Sequence, residues 1–290
     1  MEEYCIHLAI LCCIYLILAH SFNISFGLAG LLNLAHIATY AIGAYTYSIL
    51  TIDYGYHFVA AFLLSGVGAA LFSVFVGAIA ARLRGDYFAL GSLGFYFVVS
   101  ALLINWREVT RGVLGIAGVP RPELLEIDFY ENRNFLVLAV ILCLGCLACM
   151  YLLQVSPFGR LLRAQSENEF AAMSLGRDVA RARNLSFLIS SAFAGFSGAI
   201  FASYLNYVDP SSFSLTEMIL VLSMVVVGRP GSFWGVTLST IFLVLLPEPL
   251  RFLDFPPSAI GPLRQIVYSA ILVGVVYWRK EALFPRRRVV

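Results

Sequence analysis

A run of polar residues with helical spacing is the clearest candidate for chemistry in this 290-residue sequence. The residues recur at intervals of three and four, which places all of them on one face of a helix: Asn33, His36, Tyr40, Gly43 and Tyr47. Asparagine and histidine side chains both donate and accept hydrogen bonds. In an apolar setting such a face either bonds to neighbouring helices or lines a polar path, and the residues alone leave both interpretations open.

Two further polar residues, His20 and Asn23, stand three apart just upstream of this stripe. Between the two groups lie Gly27 and Gly30, which can unwind or kink a helix. Unwound backbone inside a membrane is tolerated only within protein or beside water. The candidates for lining a polar path are therefore Asn23, Asn33, His36 and Tyr40.

The sequence lacks the motifs of common catalytic and nucleotide-binding sites. Its only lysine is Lys280, which no serine or threonine follows, so the chain has no Walker A loop. Its four histidines stand too far apart for a local metal motif. Three cysteines repeat within an apolar run, where thiols usually pack as small hydrophobic groups, and a redox or metal role is the weaker alternative: Cys143, Cys146 and Cys149. We predict no enzyme activity and no cofactor in this chain.

The composition indicates which elements hold these residues. The chain is 60% hydrophobic and only 12% charged, with a mean hydropathy of +0.87, whereas soluble domains carry about 25% charged residues. So few charges cannot cover the surface of a soluble globule. This excludes a cytosolic enzyme, a disordered tail and a nucleic-acid-binding protein.

Continuous apolar runs predict membrane-spanning helices, because a helix needs about 20 apolar residues to cross a bilayer. The runs are 8–26, 28–50, 58–80, 87–104, 135–154, 186–206, 214–228, 233–249 and 263–279. The seventh and eighth are short, and polar residues interrupt the second. We predict an all-α integral membrane protein, a polytopic bundle of about 8–10 transmembrane helices with at least one broken helix.

The arginines predict the orientation of the bundle. With alternating spans, 13 of the 19 basic residues fall on one side, so the positive-inside rule makes 155–185 and the C-terminus cytoplasmic and 105–134 external. The N-terminus is then external, unless 28–50 dips in and returns. Glu217 falls near the outer end of its span, so the membrane interior holds almost no charge.

Small residues repeat every four positions in the sixth span, in two rows that allow close approach of helix backbones. The residues that we assign to helix packing are Ser190, Ala194, Gly195 and Gly198.

The 155–185 loop contains a pattern typical of a short helix. Ser166 and Glu169 have the spacing of a capping box, and Gly176 is placed to end the helix. Several apolar residues lie between them: Phe170, Ala171, Ala172, Met173 and Leu175. An apolar helix on a polar loop indicates docking onto another protein, with a helix lying on the membrane surface as the alternative.

The segment Glu169-Phe170-Ala171-Ala172, followed by Gly176, resembles the EAA-type loop of ABC importer permeases. Further segments resemble the branched-chain amino acid ABC transporter permease family, in order along about residues 20–280, and most resemble its M-type subunit. They include Gly30-Leu31-Leu32-Asn33-Leu34-Ala35-His36, Arg84-Gly85-Asp86-Tyr87-Phe88-Ala89, Asp209-Pro210-Ser211-Ser212-Phe213-Ser214 and Gly228-Arg229-Pro230-Gly231-Ser232-Phe233-Trp234-Gly235. Members of the family often have glycines where Arg229 and Pro230 stand.

The resemblance implies a single transmembrane permease domain over 1–290 in the bacterial inner membrane. It implies four kinds of partner in an ATP-driven importer: a homologous permease subunit, two ATP-binding subunits that carry ATP and magnesium, an extracytoplasmic substrate-binding protein, and membrane lipid. Glu169, Phe170, Ala171, Ala172 and Gly176 would then form the coupling helix. The implied solute is a branched-chain amino acid, with urea or short-chain amides as the alternative, and a stand-alone channel or secondary transporter as the remaining rival.

Overall fold

The computed structural model describes residues 2–83, 85–124, 127–247 and 257–278. The ends of the predicted spans 233–249 and 263–279, and the basic tail with Lys280, lie outside the described residues. Arg84, one of the 13 basic residues on the predicted cytoplasmic side, also lies outside the described residues.

Each of the nine predicted spans coincides with an α-helix. These helices are α1 Glu2–Asn23, α2 His36–Ile52, α3 Phe58–Arg82, α4 Asp86–Asn105, α6 Asn132–Val155, α9 Val179–Leu205, α10 Leu215–Val227, α11 Phe233–Leu245 and α12 Pro257–Trp278. Three shorter helices lie in the loops: α5 Arg107–Thr110, α7 Pro157–Glu167 and α8 Glu169–Ser174. Within the described residues, five helices are long and apolar enough to cross a membrane, which confirms the predicted all-α polytopic bundle.

The second span begins eight residues later than predicted. After α1 the chain makes a π-helical turn, Ile24–Leu28, and leaves helical geometry until α2 begins at His36. Gly30 lies in the left-handed region, with φ +71°, where residues with a Cβ are disfavoured. Asn33 therefore precedes α2, and its Oδ1 accepts a hydrogen bond from the Ala35 amide at 3.1 Å. The predicted helix break is present, but it separates α1 from α2.

Contacts at one end of the bundle place the N-terminus beside the 105–134 loop. Arg133 of α6 pairs with Glu2 of α1 at 2.5 Å, and Arg111 pairs with Asp53, next to the end of α2, at 3.3 Å. The start of α1 and the end of α2 are thus on the same side, so the two helices run in opposite directions. This agrees with the alternation on which the predicted orientation depends.

Two short strand pairs lie on that side. Strand β1, Ile116–Ala117, pairs antiparallel with β4, Tyr207–Val208, and β2, Glu123–Leu124, pairs with β3, Ile127–Asp128. A 3₁₀-helix, Pro210–Phe213, follows β4. Burial raises the pKa of Asp209, which precedes it, but hydrogen bonds from the Ser211 and Ser212 hydroxyls outweigh burial, so the pKa lies below its ordinary value.

Helix α9 packs against α1, α2 and α3 at the centre of the bundle. Its small residues permit backbone contact, because a Cβ on Gly195 would lie 2.7 Å from the Ser65 carbonyl oxygen of α3. A Cβ on Gly43 of α2 would lie 2.2 Å from the Gly195 Cα, and one on Gly198 would lie 2.3 Å from the Tyr40 carbonyl oxygen. Ser190 and Ala194 are fully buried on the same helix.

Helices α10 and α11 form a short hairpin, with 13 residues each. At about 1.5 Å per residue each is about 20 Å long, well short of a hydrocarbon core of about 30 Å. The turn between them lies beside the end of α1, since the Asn23 side chain accepts a hydrogen bond from the Gly231 amide at 2.8 Å. Because its turn is fixed at that level, the hairpin covers only part of the membrane thickness.

Candidate functional site

The 155–185 loop folds into α7 and α8, and local sequence sets where both begin. At the start of α7, Ser156 accepts a hydrogen bond from the Gly159 amide at 3.2 Å, and Pro157 occupies the first turn. At the start of α8, Asn168 Oδ1 accepts from the Ala171 amide at 3.0 Å. Both are N-caps of the usual kind, in which a short polar side chain bonds a free backbone amide.

The predicted capping box at Ser166 is wrong. Ser166 lies inside α7, and its hydroxyl donates to the Arg163 carbonyl oxygen at 2.8 Å. Asn168 takes the capping role because its extended backbone, with φ −153° and ψ 101°, breaks the helix there. The predicted short helix does follow, and Gly176, with φ +74°, bonds its amide to the Met173 carbonyl at 2.9 Å just beyond it.

Helix α8 presents an apolar face to its surroundings. The side chain of Phe170 is 72% exposed and that of Leu175 81% exposed, with Ala171 and Met173 also exposed. Ala172, by contrast, is only 4% exposed. The structure thus separates the residues predicted to act together, because Ala172 packs on its own chain while its neighbours are available for contact.

An ion pair joins α8 to the central helix. A guanidinium nitrogen of Arg183, in the first turns of α9, lies 3.1 Å from Glu169 Oε1, and both side chains are largely shielded from solvent. Asp178 caps α9 by accepting from the Arg181 amide at 3.0 Å. Glu169 therefore links α8 directly to the first turns of α9.

The predicted polar stripe lies inside the protein. His36 Nε2 and the Ser21 hydroxyl of α1 are hydrogen-bonded at 2.9 Å, and the Ser190 hydroxyl of α9 donates to the Ser21 carbonyl oxygen at 2.8 Å. Asn33 and His36 are almost fully buried. We call Ser21, His36 and Ser190 the polar junction, since they join α1, α2 and α9 next to the helix break.

The remaining path candidates also contact protein. Tyr40 packs against the rings of Phe201 and Phe213, with centroids 5.6 and 5.1 Å away. Asn23 holds the α10–α11 turn through its bond to the Gly231 amide. His20, one turn earlier, is hydrogen-bonded to Thr237 of α11 at 2.9 Å. Asn23 and His20 thus bond to neighbouring helices, as the interpretation of interhelical hydrogen bonding expects, whereas the contacts of Tyr40 are ring contacts.

Glu217 lies deeper than the sequence indicates. The Tyr15 hydroxyl of α1 donates to Glu217 Oε2 at 2.8 Å, and Tyr15 is the fourteenth of the 22 residues of α1. Glu217 is near the start of its helix, as predicted, but the short α10 begins well inside the bundle. The outer end of this span therefore lies inside the bundle and not at its surface.

Two of the three spaced cysteines, Cys143 and Cys146, are buried on α6, whereas Cys149 is exposed. Among the residues that the structure describes, no group of three or more histidine, cysteine or acidic side chains is placed to hold a metal ion.

Comparison with known proteins adds to this geometry. Residues 4–276 match the family model described as the branched-chain amino acid transport system permease component. The chain is 34% identical to the high-affinity branched-chain amino acid transport system permease protein LivM of Escherichia coli, over 98% of this chain and 70% of that protein. It is 23% identical to the probable LivM of Methanocaldococcus jannaschii, over 96% and 92%.

A second permease of the same system is also similar. The chain is 25% identical to the high-affinity branched-chain amino acid transport system permease protein LivH of Escherichia coli, over 79% of each protein. No solved structure matches. The family match over nearly the whole length and the identity to LivM agree with the polytopic helical bundle. The chain therefore belongs to the family of branched-chain amino acid transport permeases, and it is a multi-pass membrane subunit of a transporter and not itself an enzyme.

Proposed function

We propose that this chain is the permease subunit of an ATP-driven importer that carries branched-chain amino acids across the bacterial inner membrane. Family membership and the identity to LivM support the solute class. The observation that carries the mechanism is the exposed apolar face of α8, held to α9 by the Glu169–Arg183 ion pair.

The partners follow from what this chain lacks and what it exposes. It has no Walker A loop, so two separate subunits would bind ATP and magnesium and supply the energy. They would dock on Phe170 and Leu175, because these apolar side chains are largely exposed and exposed apolar patches are typical of protein interaction surfaces. A homologous permease would enclose the path from the other side, and the similarity to both LivM and LivH supports such a pair.

In this proposal, nucleotide-driven movement of α8 reaches the membrane through α9. Glu169 transfers the displacement to Arg183, and the tight backbone contacts of Gly195 and Gly198 make α2 and α3 move with α9. The polar junction then transmits the movement to the break between α1 and α2. A break of this kind is a natural hinge, because its backbone already lies outside helical geometry.

An extracytoplasmic binding protein would deliver the solute to the external side, where the 105–134 loop lies. Because the membrane interior holds few charges, the sequence predicts that the binding protein, and not the permease, determines which solute is selected. The alternative solutes, urea and short-chain amides, differ from amino acids because they carry no ammonium group.

Purification from the native membrane with a mild detergent tests this proposal. We expect a homologous permease and ATPase subunits to co-purify with the chain. After reconstitution into liposomes with the neighbouring binding protein, the complex should import leucine only when ATP is present on the cytoplasmic side. Isolation of the chain alone, or import without ATP, would show that the importer assignment is wrong, and uptake of urea in place of leucine would overturn the solute class.

A further inference from the structure

An acidic side chain lies at mid-depth in the bundle. Helix α1 has 22 residues, so at 1.5 Å per residue it is about 33 Å long, and Tyr15 lies about 20 Å from its start. The Tyr15 hydroxyl donates to Glu217 Oε2 at 2.8 Å, which fixes the carboxylate near the same level. The other end of the hairpin agrees, because Gly231 lies against Asn23 at the end of α1.

Glu217 as a whole residue is half-buried, and its neighbour Thr216 is exposed and accepts a hydrogen bond from Gln265 of α12 at 3.3 Å. Within the described part of the chain, the Tyr15 hydroxyl is the hydrogen-bond partner of Glu217, and no described residue forms an ion pair with it. Acceptor capacity is therefore left on this carboxylate.

A carboxylate at this depth cannot face lipid chains without a large free-energy penalty, so it faces a water-filled cavity or protein. Thr216 of α10 and Gln265 of α12 are both exposed and bonded to each other, and they form a polar strip that adjoins Glu217 in the sequence. In a transporter whose translocation path lies between two permeases, we expect the surface of this chain that carries the polar strip to line the path.

We infer that Glu217 and Tyr15 form a binding site in the path for the primary ammonium group of the transported solute, an inference that rests on the proposed function. An ammonium group has three donors and one positive charge, and it matches a carboxylate flanked by a phenol oxygen. Leucine, isoleucine and valine share this group, whereas urea and amides lack it. The permease itself then contributes to selectivity, in contrast to the expectation from the sequence.

The competing role for Glu217 is structural. The Tyr15 bond fastens α10 to α1, and an acidic residue in the first turn of a helix is favoured by the helix dipole. The two roles predict different effects of mutation. Loss of a structural bond lowers the thermal stability of the complex and reduces ATP hydrolysis and import together. Loss of a solute-binding contact reduces import while ATP hydrolysis continues.

The test compares the Glu217→Gln variant with the wild-type complex in liposomes that contain the partner permease, the ATPase subunits and the binding protein. Gln keeps the size and an acceptor oxygen but removes the charge. We expect leucine imported per ATP hydrolysed to fall about tenfold, the loss typical of a hydrogen-bonded charge, with the ATPase rate and the melting temperature unchanged. Tyr15→Phe should cause a smaller fall.

Wild-type coupling in the Glu217→Gln complex would overturn the inference. A parallel decrease in import and ATP hydrolysis, or a lowered melting temperature, would also overturn the inference, because either result would indicate that Glu217 has a structural role. Failure of the proposed function looks different, since the wild-type complex would then import no branched-chain amino acid, and the inference would fall with it.

Discussion

Glu169 of α8 and Arg183 of α9 form an ion pair across the connection between the two helices, with an N–O distance of 3.1 Å. Their side chains are 24% and 11% exposed, respectively, so solvent screens the pair less than it does an ordinary surface salt bridge. The pair is thus a fixed link between the exposed loop helix and the helix at the centre of the bundle.

Breaking this link should uncouple the two helices. We expect Glu169→Gln and Arg183→Gln each to lower leucine imported per ATP hydrolysed by about fivefold or more, since coupling free energies between sites are typically about 1–3 kcal/mol. The exchanged pair, Glu169→Arg with Arg183→Glu, should recover part of the loss. Import per ATP in the reconstituted complex is the measurement, and additive losses in the exchanged variant would contradict a direct interaction.

The exposed face of α8 should be required for assembly. Phe170→Asp places a charge where the structure leaves an aromatic ring open to its surroundings, and we expect ATPase subunits to be retained about tenfold less well, as for an aromatic anchor at an interface. Leu114→Asp is the matched control, because Leu114 is equally exposed but lies next to the external strands. Co-purification from membranes measures the effect, and equal retention in both variants would argue against docking on α8.

Much of the fold follows from the sequence, because long apolar runs in a bilayer leave few alternatives to helices. The sequence predicts a helix at each of the nine apolar runs, the break near Gly30 and the stop at Gly176, although α10 and α11 are too short to cross the membrane. The start of α2 was not predicted, since Leu31, Leu32 and Leu34 continue the apolar run although the backbone there is not helical. An apolar run indicates that a segment is buried in the membrane, but it does not show at which residue of the run the helix begins.

The candidate site was less predictable, because it depends on which elements meet. The spacing identified His36 and Asn23, but their partners, Ser21 and Gly231, come from the tertiary structure. Likewise, the motif at Glu169 could not indicate that Ala172 faces inward or that Arg183 is the partner of Glu169. The depth of Glu217 was missed because it depends on where a short helix begins, which only its neighbours on α1 reveal.

The glycines between α2, α3 and α9 should tolerate no enlargement. We expect Gly195→Ala to destabilise the protein by about 1–3 kcal/mol, the usual cost of overpacking a tight interface, because its Cβ would lie 2.7 Å from a backbone oxygen of α3. Gly145→Ala, in α6 with nothing within 4 Å of the new Cβ, serves as the control. Thermal unfolding in detergent compares them, and equal melting temperatures would contradict the tight contact.

The turn between α10 and α11 contains a residue in an unfavourable conformation. Arg229 has φ +71°, in the region where a Cβ costs about 1 kcal/mol. Arg229→Gly should therefore raise the free energy of unfolding by up to about 1 kcal/mol. Arg177→Gly, an exposed position outside that region, should give no gain. A lower melting temperature for Arg229→Gly would indicate a stabilising role for the arginine side chain.

The polar junction separates the two interpretations of the stripe. His36→Leu removes the hydrogen bond between the imidazole and the Ser21 hydroxyl, and we expect a loss of about 0.5–1.5 kcal/mol, the net contribution of one hydrogen bond. If the stripe holds helices together, the folded fraction of this variant will import leucine, isoleucine and valine in wild-type proportions. Changed proportions in competition assays would instead place His36 in the path.

The backbone contact between Gly43 and Gly195 also constrains how this sequence can diverge. A methyl group on Gly43 would meet the Gly195 backbone, and a methyl group on Gly195 would meet the backbone of α3, so a larger residue at either position requires the helices to separate. We therefore expect selection to remove single substitutions at either position, although the surrounding apolar residues can be replaced by other apolar residues. Residue identity at these two positions should thus change much more slowly among descendants of this protein than hydrophobicity alone would require.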